Sequence, residues 1–284
     1  MNKEKIGLIG LGLVGTAVSV RLNESGFEVL GYDVRTDLPE GVTVCSGPAE
    51  VFSLCERVIL CLPTSEVVAE VVNGSQEHLR SGQIVIDTGT GSPNQMEQIH
   101  NDLKVVGVSY LEATIAGSSH LLRNKKAPLF TSGEKSIIDQ QSDLFDSITD
   151  KNFYLGEFGK ATRFKLVHNL LIGLHRAVLA EGLQFAESLG FDSQESLSIL
   201  KQTTASSGVM KTKGERMVTR DYEVPQALVS QHMKDVKLIL EESEKSGAIV
   251  PLSALHKELL EAVERSGLGS VDNSAIMEAF NPQS

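Results

Sequence analysis

The residues best suited to chemistry in this 284-residue chain begin with three glycines that follow a short apolar run. Gly10, Gly12 and Gly15 have the spacing G-x-G-x-x-G, and a second apolar run ends at Asp33. In a strand–turn–helix–strand unit, such glycines allow a tight turn, close approach of backbone to a pyrophosphate, and close packing of helix on strand. Free N–H groups at the start of the helix can hold the phosphates. The pattern predicts a dinucleotide site whose loop consists of Gly10, Leu11, Gly12, Leu13, Val14 and Gly15.

The acidic residue at the end of the second run indicates which dinucleotide binds. Asp33 can accept hydrogen bonds from both hydroxyls of an adenosine ribose, and its charge would repel a 2′-phosphate. Arg35, two residues later, could instead bind that phosphate. The sequence therefore predicts NAD as the cofactor and leaves NADP possible. The alternative is an ordinary strand–helix–strand unit in which the glycines serve packing alone.

A second candidate for chemistry is Lys165, which precedes Asn169 by one helical turn. At this spacing both side chains project from the same face of a helix. Because the surrounding pattern is apolar and burial of an unpaired ammonium group is costly, the lysine needs a cavity, a partner or a chemical role. An ammonium group beside a substrate carbonyl can donate the proton that accompanies hydride arrival, and an asparagine can orient the same substrate. A solvated surface lysine is the alternative.

Two kinds of pattern must position these residues. Over residues 1–160, short apolar runs alternate with helical patterns, which is typical of a doubly wound parallel sheet with helices on both faces. After residue 160 every pattern is helical, beginning with a helix from Gly159 to Leu189 that is apolar on nearly every side and therefore predicted to be buried. The predicted fold is α/β, with a doubly wound (Rossmann) dinucleotide-binding domain over residues 1–160 and an all-helical domain over residues 161–284. Particular expectations are a strand over 105–111, helices over 136–146, 225–245 and 274–280, and core positions for His168 and His175.

Composition limits the classes of partner. The formal net charge of −11 argues against nucleic acid and anionic membrane surfaces, and no apolar stretch reaches membrane-spanning length. No signal or transit peptide is expected before the first strand. The three cysteines, Cys45, Cys55 and Cys61, lack the spacing of a metal site and are predicted to be reduced thiols of a cytoplasmic protein. A helical domain this apolar is also expected to pair with another copy, as a homodimer or homotetramer.

Several ordered motifs resemble those of the β-hydroxyacid dehydrogenases, a family that includes 3-hydroxyisobutyrate dehydrogenase. The resemblance covers nearly the whole chain. Its motifs are the loop Gly10–Gly15, the dipeptide Leu62-Pro63, Asp87–Pro93 as a form of D-x-S-T-x-x-P, Gly156-x-x-Gly159 followed by Lys165 and Asn169, and the pair Lys234-Asp235. The resemblance implies that Lys165 is the catalytic acid/base and that the cofactor is contacted by Leu62, Pro63, Thr90 and Lys234.

The chain departs from this family at three motifs, and in one of them, Asp87–Pro93, Gly89 replaces a usual serine. Glu112–Ser118 replaces the usual D-A-P-V-S-G-G, and Ala116 stands where a serine normally helps to hold the substrate carboxylate. Ser118 or Ser119 could supply a slightly displaced hydroxyl, and a different mode of substrate binding is the alternative. Gly117, Ser118 and Asn169 are predicted to position the carboxylate. Ala161 replaces the last glycine of the usual G-x-x-G-x-G. These changes preserve the predicted reaction and leave the substrate open.

A basic cluster follows the altered substrate loop. It consists of His120, Arg123, Lys125 and Lys126. A solvated surface turn is the favoured interpretation, and recognition of a second anionic group on the substrate is the alternative.

Together these features predict an NAD-dependent oxidoreductase that interconverts a small 3-hydroxy acid and its semialdehyde or keto acid by hydride transfer. An imine reductase is one alternative, although such enzymes generally lack the lysine. A catalytically silent dinucleotide-binding scaffold or sensor is another. An enzyme like 6-phosphogluconate dehydrogenase would need a longer helical region than this chain provides.

Overall fold

The first part of the chain folds around one eight-stranded sheet in the computed structural model, which describes residues 3–35 and 38–281. The strands are β1 Lys5–Ile9, β2 Glu28–Tyr32, β3 Val42–Val44, β4 Arg57–Leu60, β5 Ile84–Asp87, β6 Ser109–Ile115, β7 Leu129–Ser132 and β8 Asn152–Tyr154. Their order across the sheet is β3-β2-β1-β4-β5-β6-β7-β8, and neighbouring strands are parallel except β6 and β7. Because β2 and β4 flank β1 on opposite sides, the winding direction reverses there. Such a reversal opens a crevice at the carboxyl ends of the strands, where ligands bind.

Apolar side chains cover both faces of this sheet. Ile6 and Leu8 of β1 pack in the cluster on one face, while Ile9 packs in the cluster on the other face together with Phe52 and Leu60. Strands that are buried on both faces read as continuous apolar runs, which explains their visibility in the sequence. The helices of this unit are α1 Leu13–Glu24, α2 Pro48–Leu54, α3 Ser65–Asn73, α4 Pro93–Val105, α5 Ser119–Arg123, α6 Lys135–Gln140 and α7 Ser142–Ile148.

The second part of the chain is helical. The chain divides into two compact units between Lys165 and Leu166. The boundary between the units falls within α8, Lys160–Ser188. The later helices are α9 Ser193–Leu200, α10 Gly208–Thr212, α11 Gly214–Thr219, α12 Val229–Ser246 and α13 Pro251–Arg265, followed by a 3₁₀ segment, Asn273–Phe280. In residues 166–281 the described chain has no strand, only an isolated bridge between Leu228 and Asp272. Leu183, Val236 and Leu260 bring α8, α12 and α13 into one apolar core.

The prediction that α8 is buried on every side is wrong. One face packs in the core of the second unit, but five large apolar side chains on another face are 46 to 66 % exposed: Phe164, Val167, Leu171, Val178 and Phe185. We call these five residues the α8 stripe. The expected core position of His175 is also wrong because this side chain is exposed, and His168 is half-buried. An apolar pattern shows which side chains avoid water but not whether the same chain covers them.

The predicted fold class is confirmed: a doubly wound sheet domain precedes a helical one. Element boundaries were predicted less well. The expected strand over 105–111 is displaced, since α4 continues to Val105 and β6 begins at Ser109; the helix expected over 136–146 is divided into α6 and α7. The helix expected from residue 225 begins at Val229, and the last segment is 3₁₀ rather than α-helical. The predicted domain boundary at residue 160 stays a prediction, and the outermost residues of the two ranges, 1–2 and 282–284, lie outside the described chain.

Among the described residues, no helix has both the length and the apolarity required to cross a bilayer.

Candidate active site

The glycine loop between β1 and α1 meets three different steric demands. Gly10 has φ +92°, and a Cβ there would lie 2.4 Å from the carbonyl oxygen of Cys61. A Cβ at Gly15 would lie 1.9 Å from the carbonyl oxygen of Gly10, so this position must also be glycine. At Gly12 the same construction meets no described atom within 4 Å. The first and third glycines are therefore required by the fold, while the second leaves open space beside the backbone at the start of α1.

Asp33 follows β2 and is oriented by the loop itself. Its Oδ2 accepts a hydrogen bond from the Leu11 N–H at 2.5 Å, and its Oδ1 accepts one from the Arg35 N–H at 2.9 Å. The Arg35 guanidinium also pairs with Oδ1 at 3.1 Å. Burial raises the pKa of Asp33, but these hydrogen bonds outweigh it and hold the pKa below its ordinary value. The carboxylate is thus ionised at neutral pH and borders a cavity of about 620 Å³ whose lining includes Tyr32, Leu38 and Cys45.

The predicted contacts Leu62, Pro63 and Thr90 lie in the loops that follow β4 and β5. These strands are parallel neighbours, so both loops leave the same edge of the sheet. Leu62 approaches the glycine loop, since a Cβ at Gly10 would lie 3.2 Å from its Cδ2. The loop after β5 is shaped by the buried Asp87, whose Oδ1 accepts the Gly89 N–H at 2.7 Å. The structure therefore brings these three predicted residues to the sheet edge at which the glycine loop lies.

Gly117 and Ser118 connect β6 with α5. Ser118 is the N-cap of α5, where its hydroxyl accepts the Leu121 N–H at 3.4 Å. Gly117 packs closely, because a Cβ there would lie 3.1 Å from the Cβ of Ala127. The backbone and hydroxyl of this loop can offer hydrogen bonds to a carboxylate, and their assignment to substrate stays a prediction.

The basic cluster lies on and after α5. His120, Arg123 and Lys126 are exposed, while Lys125 has φ +58° and forms an ion pair with Asp150 at 3.3 Å. These positions agree with a solvated turn, and the structure assigns no ligand to them.

Lys165 and Asn169 are buried, with exposed fractions of 8 % and 6 %, and lie one turn apart on α8. The amide of Asn169 is fixed from α12, since its Nδ2 donates to Asp235 Oδ2 at 2.9 Å. Lys234 Nζ lies 3.4 Å from Asp235 Oδ1. The structure thus brings two predicted residues, Asn169 and Lys234, to one carboxylate. The motif predicted a role for Lys234 and none for its neighbour Asp235, although the K-D pair itself was the available signal.

Two buried histidines lie close to this arrangement in the second unit. The rings of His232 and His256 are 5.1 Å apart. Gly173, one turn beyond Asn169, leaves room for them, because a Cβ there would be 2.4 Å from His232 Nε2. Burial and the nearby Arg176 lower the pKa of His256 to about 4, so this imidazole is neutral at physiological pH. The described residues contain no cluster of three or more metal-ligating side chains.

Comparisons with known proteins agree with this geometry. A family model described as the NAD binding domain of 6-phosphogluconate dehydrogenase matches residues 5–156. A second, described as the NAD-binding domain of NADP-dependent 3-hydroxyisobutyrate dehydrogenase, matches residues 159–280. Glyoxylate/succinic semialdehyde reductase 1 of Arabidopsis thaliana is 29 % identical over 97 % of this chain and 98 % of its own length. A crystal structure of 3-hydroxyisobutyrate dehydrogenase from Salmonella typhimurium has the same fold, with a TM-score of 0.90 at 19 % identity, over 97 % of this chain and 99 % of that one.

One further relative has a different kind of name. Cytokine-like nuclear factor N-PAC of Anopheles gambiae is 28 % identical over 96 % of this chain, and this chain spans 49 % of that protein's length.

The fold and the dinucleotide loop define an NAD(P)-dependent oxidoreductase, which confirms the predicted cofactor class. More particularly, the chain belongs to the β-hydroxyacid dehydrogenase family, as the motifs predicted, and is an oxidoreductase of hydroxy acids and semialdehydes.

Proposed function

We propose that this enzyme prefers NAD and interconverts a small 3-hydroxy acid and its semialdehyde or keto acid, with Lys165 as the general acid/base. The observation that carries the proposal is the buried side chain of Lys165, one turn from Asn169 on the same helix. A lysine at this position can donate a proton to a substrate oxygen, and the asparagine one turn away can orient the same substrate.

The residues of the first unit suit a dinucleotide. The open space beside Gly12 admits a pyrophosphate to the N–H groups at the start of α1. The oriented carboxylate of Asp33 suits the two ribose hydroxyls. When bound, the nicotinamide group supplies the hydride in reduction and receives it in oxidation. We assign cofactor contacts to Gly10–Gly15, Asp33, Leu62, Pro63, Thr90 and Lys234.

The protein's own part in the reaction is proton transfer and orientation. In reduction, the Lys165 ammonium donates its proton to the substrate oxygen as the carbonyl carbon receives the hydride, so one C–H and one O–H bond form and the lysine becomes a neutral amine. In oxidation that amine takes the proton back. The Asn169 amide, held by Asp235, orients the substrate, and Gly117 and Ser118 bind its carboxylate.

The acid/base assignment is tested by Lys165→Ala, with Lys160→Ala as the matched control on the exposed start of the same helix. We expect Lys165→Ala to lower kcat for semialdehyde reduction by roughly 10²–10⁴-fold, the range that general acid catalysis contributes. Fluorescence titration should show an unchanged Kd for NADH in both variants. A Lys165→Ala enzyme with the wild-type kcat would exclude this role.

The cofactor preference is tested by titrating the wild-type enzyme and Asp33→Asn with NADH and NADPH in parallel. Asparagine keeps an oxygen that can accept the Leu11 N–H but removes the charge that repels a 2′-phosphate. We expect wild type to prefer NADH and the variant to shift toward NADPH by about tenfold, or ~1.4 kcal/mol. Tighter binding of NADPH by the wild type would assign the selection to Arg35 instead.

The scaffold alternative is favoured by one observation, the similarity to a protein named as a nuclear factor. A scaffold would bind NADH and show no turnover with any glyoxylate, succinic semialdehyde or 3-hydroxy acid substrate. Turnover that depends on Lys165 would exclude it. The same lysine argues against an imine reductase, and a test with cyclic imines separates the two reductase activities.

We also propose a cytoplasmic homodimer or homotetramer with no nucleic-acid or membrane partner. The α8 stripe supports self-association, since large apolar surfaces in water favour a protein interface. Three free cysteines support a reducing compartment, and the net charge of −11 disfavours nucleic acid and anionic lipid.

A further inference from the structure

A fully buried carboxylate lies under the start of α8. Glu112 belongs to β6, and its Oε2 accepts hydrogen bonds from the backbone N–H groups of Gly159 at 2.9 Å, Ala161 at 3.2 Å and Thr162 at 3.4 Å. The hydroxyl of Ser132 on β7 also donates to this oxygen, and Ser132 Oγ accepts the Ala161 N–H at 3.1 Å. One side chain from the sheet therefore binds the first turn of the helix that carries Lys165.

These contacts satisfy both partners. The first N–H groups of a helix have no acceptor within the helix, and the positive end of the helix dipole favours a negative charge. A buried carboxylate, in turn, is tolerated only when it is hydrogen-bonded or paired. Within the described chain, the other carboxylate oxygen, Oε1, has no hydrogen-bond partner. The polar contacts of Glu112 are thus directed at α8 and Ser132.

The same contacts determine where Lys165 lies. Ala161 precedes Lys165 by one turn, so the helical hydrogen bond of the Lys165 N–H is made to the Ala161 carbonyl. Ala161 is itself fully buried and packs with Ala116 and Phe130. If the first turn moved, the ammonium group one turn later would move with it.

We propose that Glu112 is a positioning residue for the acid/base Lys165, an inference that rests on the proposed function. It fixes the first turn of α8 through its three backbone hydrogen bonds. Misplacement of a catalytic group by about 1 Å can cost on the order of 10²-fold in rate, so the contribution of Glu112 is kinetic as well as structural.

The test uses two substitutions at Glu112, one that changes the length of the side chain and one that changes its charge. Glu112→Asp keeps the charge and shortens the side chain by one methylene, while Glu112→Gln keeps the length and an acceptor oxygen. We expect Glu112→Asp to lower kcat at least tenfold, with KM and the Kd for NADH within twofold of wild type. We expect Glu112→Gln to retain more of the wild-type kcat than Glu112→Asp, because its amide oxygen can still reach the three backbone N–H groups.

The matched control is Glu50→Gln. Glu50 also accepts a backbone N–H near the start of a helix, that of Ser46, but it is solvent-accessible and lies at α2. This variant should leave kcat, KM and the Lys165 signal described below unchanged. If Glu112→Asp does not fold, Ser132→Ala serves in its place; it removes the hydroxyl that holds the carboxylate and should lower kcat about threefold or more at unchanged KM.

A readout without turnover distinguishes failure of this inference from failure of the proposed function. NMR of ¹³Cε-labelled lysine, with the signal assigned from Lys165→Ala, reports the surroundings of the Lys165 ammonium group. The chemical shift of this signal should differ between Glu112→Asp and wild type, whether or not a substrate is known. Wild-type kcat and a wild-type Lys165 signal in folded Glu112→Asp would overturn the inference, as would a loss confined to thermal stability.

Discussion

At the scale of single residues, the polar groups of the candidate site are held by other protein groups. The Asn169 amide donates to Asp235, and the same carboxylate pairs with Lys234. The amide oxygen also lies 3.1 Å from His168 Nδ1. An amide that is fixed in this way presents its remaining hydrogen in a defined direction, so less entropy is lost when a substrate is oriented. We infer that Asp235 supports catalysis through Asn169 and Lys234.

This role predicts the effect of removing the carboxylate. Asp235→Ala leaves a buried amide without its acceptor, and hydrogen bonds to charged groups are worth about 1.5–3 kcal/mol. We expect kcat/KM for reduction to fall roughly 10- to 100-fold, and Asp235→Asn, which keeps an acceptor oxygen, to recover part of it.

The control for this prediction is Glu241→Ala, at an exposed position on the same helix α12, which should have wild-type kinetics. Steady-state kinetics should be accompanied by thermal melting to establish that each variant is folded. Equal kinetics in Asp235→Ala and Glu241→Ala would show that Asn169 needs no support from α12.

The residues of the site that could be predicted from the sequence are those whose function depends on local spacing. The glycine loop and the Lys165–Asn169 pair are of this kind. Asp235 and Glu112 stand in recognised motifs, but the contacts of their carboxylates were not predicted because the partners lie far away in the chain: 66 residues separate Asp235 from Asn169, and 49 separate Glu112 from Ala161. No local pattern reveals such a partner.

At the scale of elements, β6 shows why one strand was misplaced. Residues 105–108 read as apolar, yet Val105 is 86 % exposed at the end of α4. The true strand contains a buried acid, Glu112, and a buried Thr114, which weaken its apolar pattern. A carboxylate can occupy a buried strand here because N–H groups at the start of α8 donate hydrogen bonds to it. These hydrogen bonds form only in the folded protein, so the sequence near β6 does not show them. In β4 and β5 the buried charged residues, Arg57 and Asp87, stand at a strand end, so the apolar run is uninterrupted and both strands were identified at nearly their observed positions.

The α8 stripe has a consequence for assembly. Its members follow at intervals of 3, 4, 7 and 7 residues, which approximates the seam of packed helices. We predict that the wild-type protein sediments as a dimer or larger species and that Val178→Glu and Phe185→Glu shift it toward the monomer, because each places a charge in an apolar interface.

An exposed apolar residue outside the stripe provides the control for this experiment. Val105→Glu makes the same chemical change in the first unit and should not alter the sedimentation coefficient. A wild-type protein that sediments as a monomer at micromolar concentration would contradict the prediction, and the exposed stripe would then need another explanation.

At the scale of the whole molecule, the buried histidine of α13 should make stability depend on pH. Burial and Arg176 lower the pKa of His256 to about 4, against 6.5 as its ordinary value. The unfolded chain therefore binds this proton more readily than the folded one between these two values. Stability is complete above about pH 6.5 and declines as the pH falls toward 4.

The size of this effect can be measured by urea unfolding. The shift corresponds to a loss of ~2 kcal/mol in the free energy of unfolding between pH 8 and pH 5. We expect His256→Gln to flatten the dependence over this range, whatever its stability at pH 8. His120→Gln, at an exposed histidine, should retain the full decline. An equally steep decline in His256→Gln would assign the effect to other groups.

The hydrogen bond from Leu11 to Asp33 limits how this enzyme can be re-engineered. The carboxylate to which we assign the ribose hydroxyls also anchors the backbone of the glycine loop. Replacing it with a small side chain to admit a 2′-phosphate would release that anchor and weaken the grip on both dinucleotides. A successful exchange of coenzyme must therefore retain an acceptor at position 33, or install one nearby, before new positive charge is added. Coenzyme selectivity and the geometry of the glycine loop would therefore have to evolve together. A single substitution that admitted the 2′-phosphate but released the loop would be selected against.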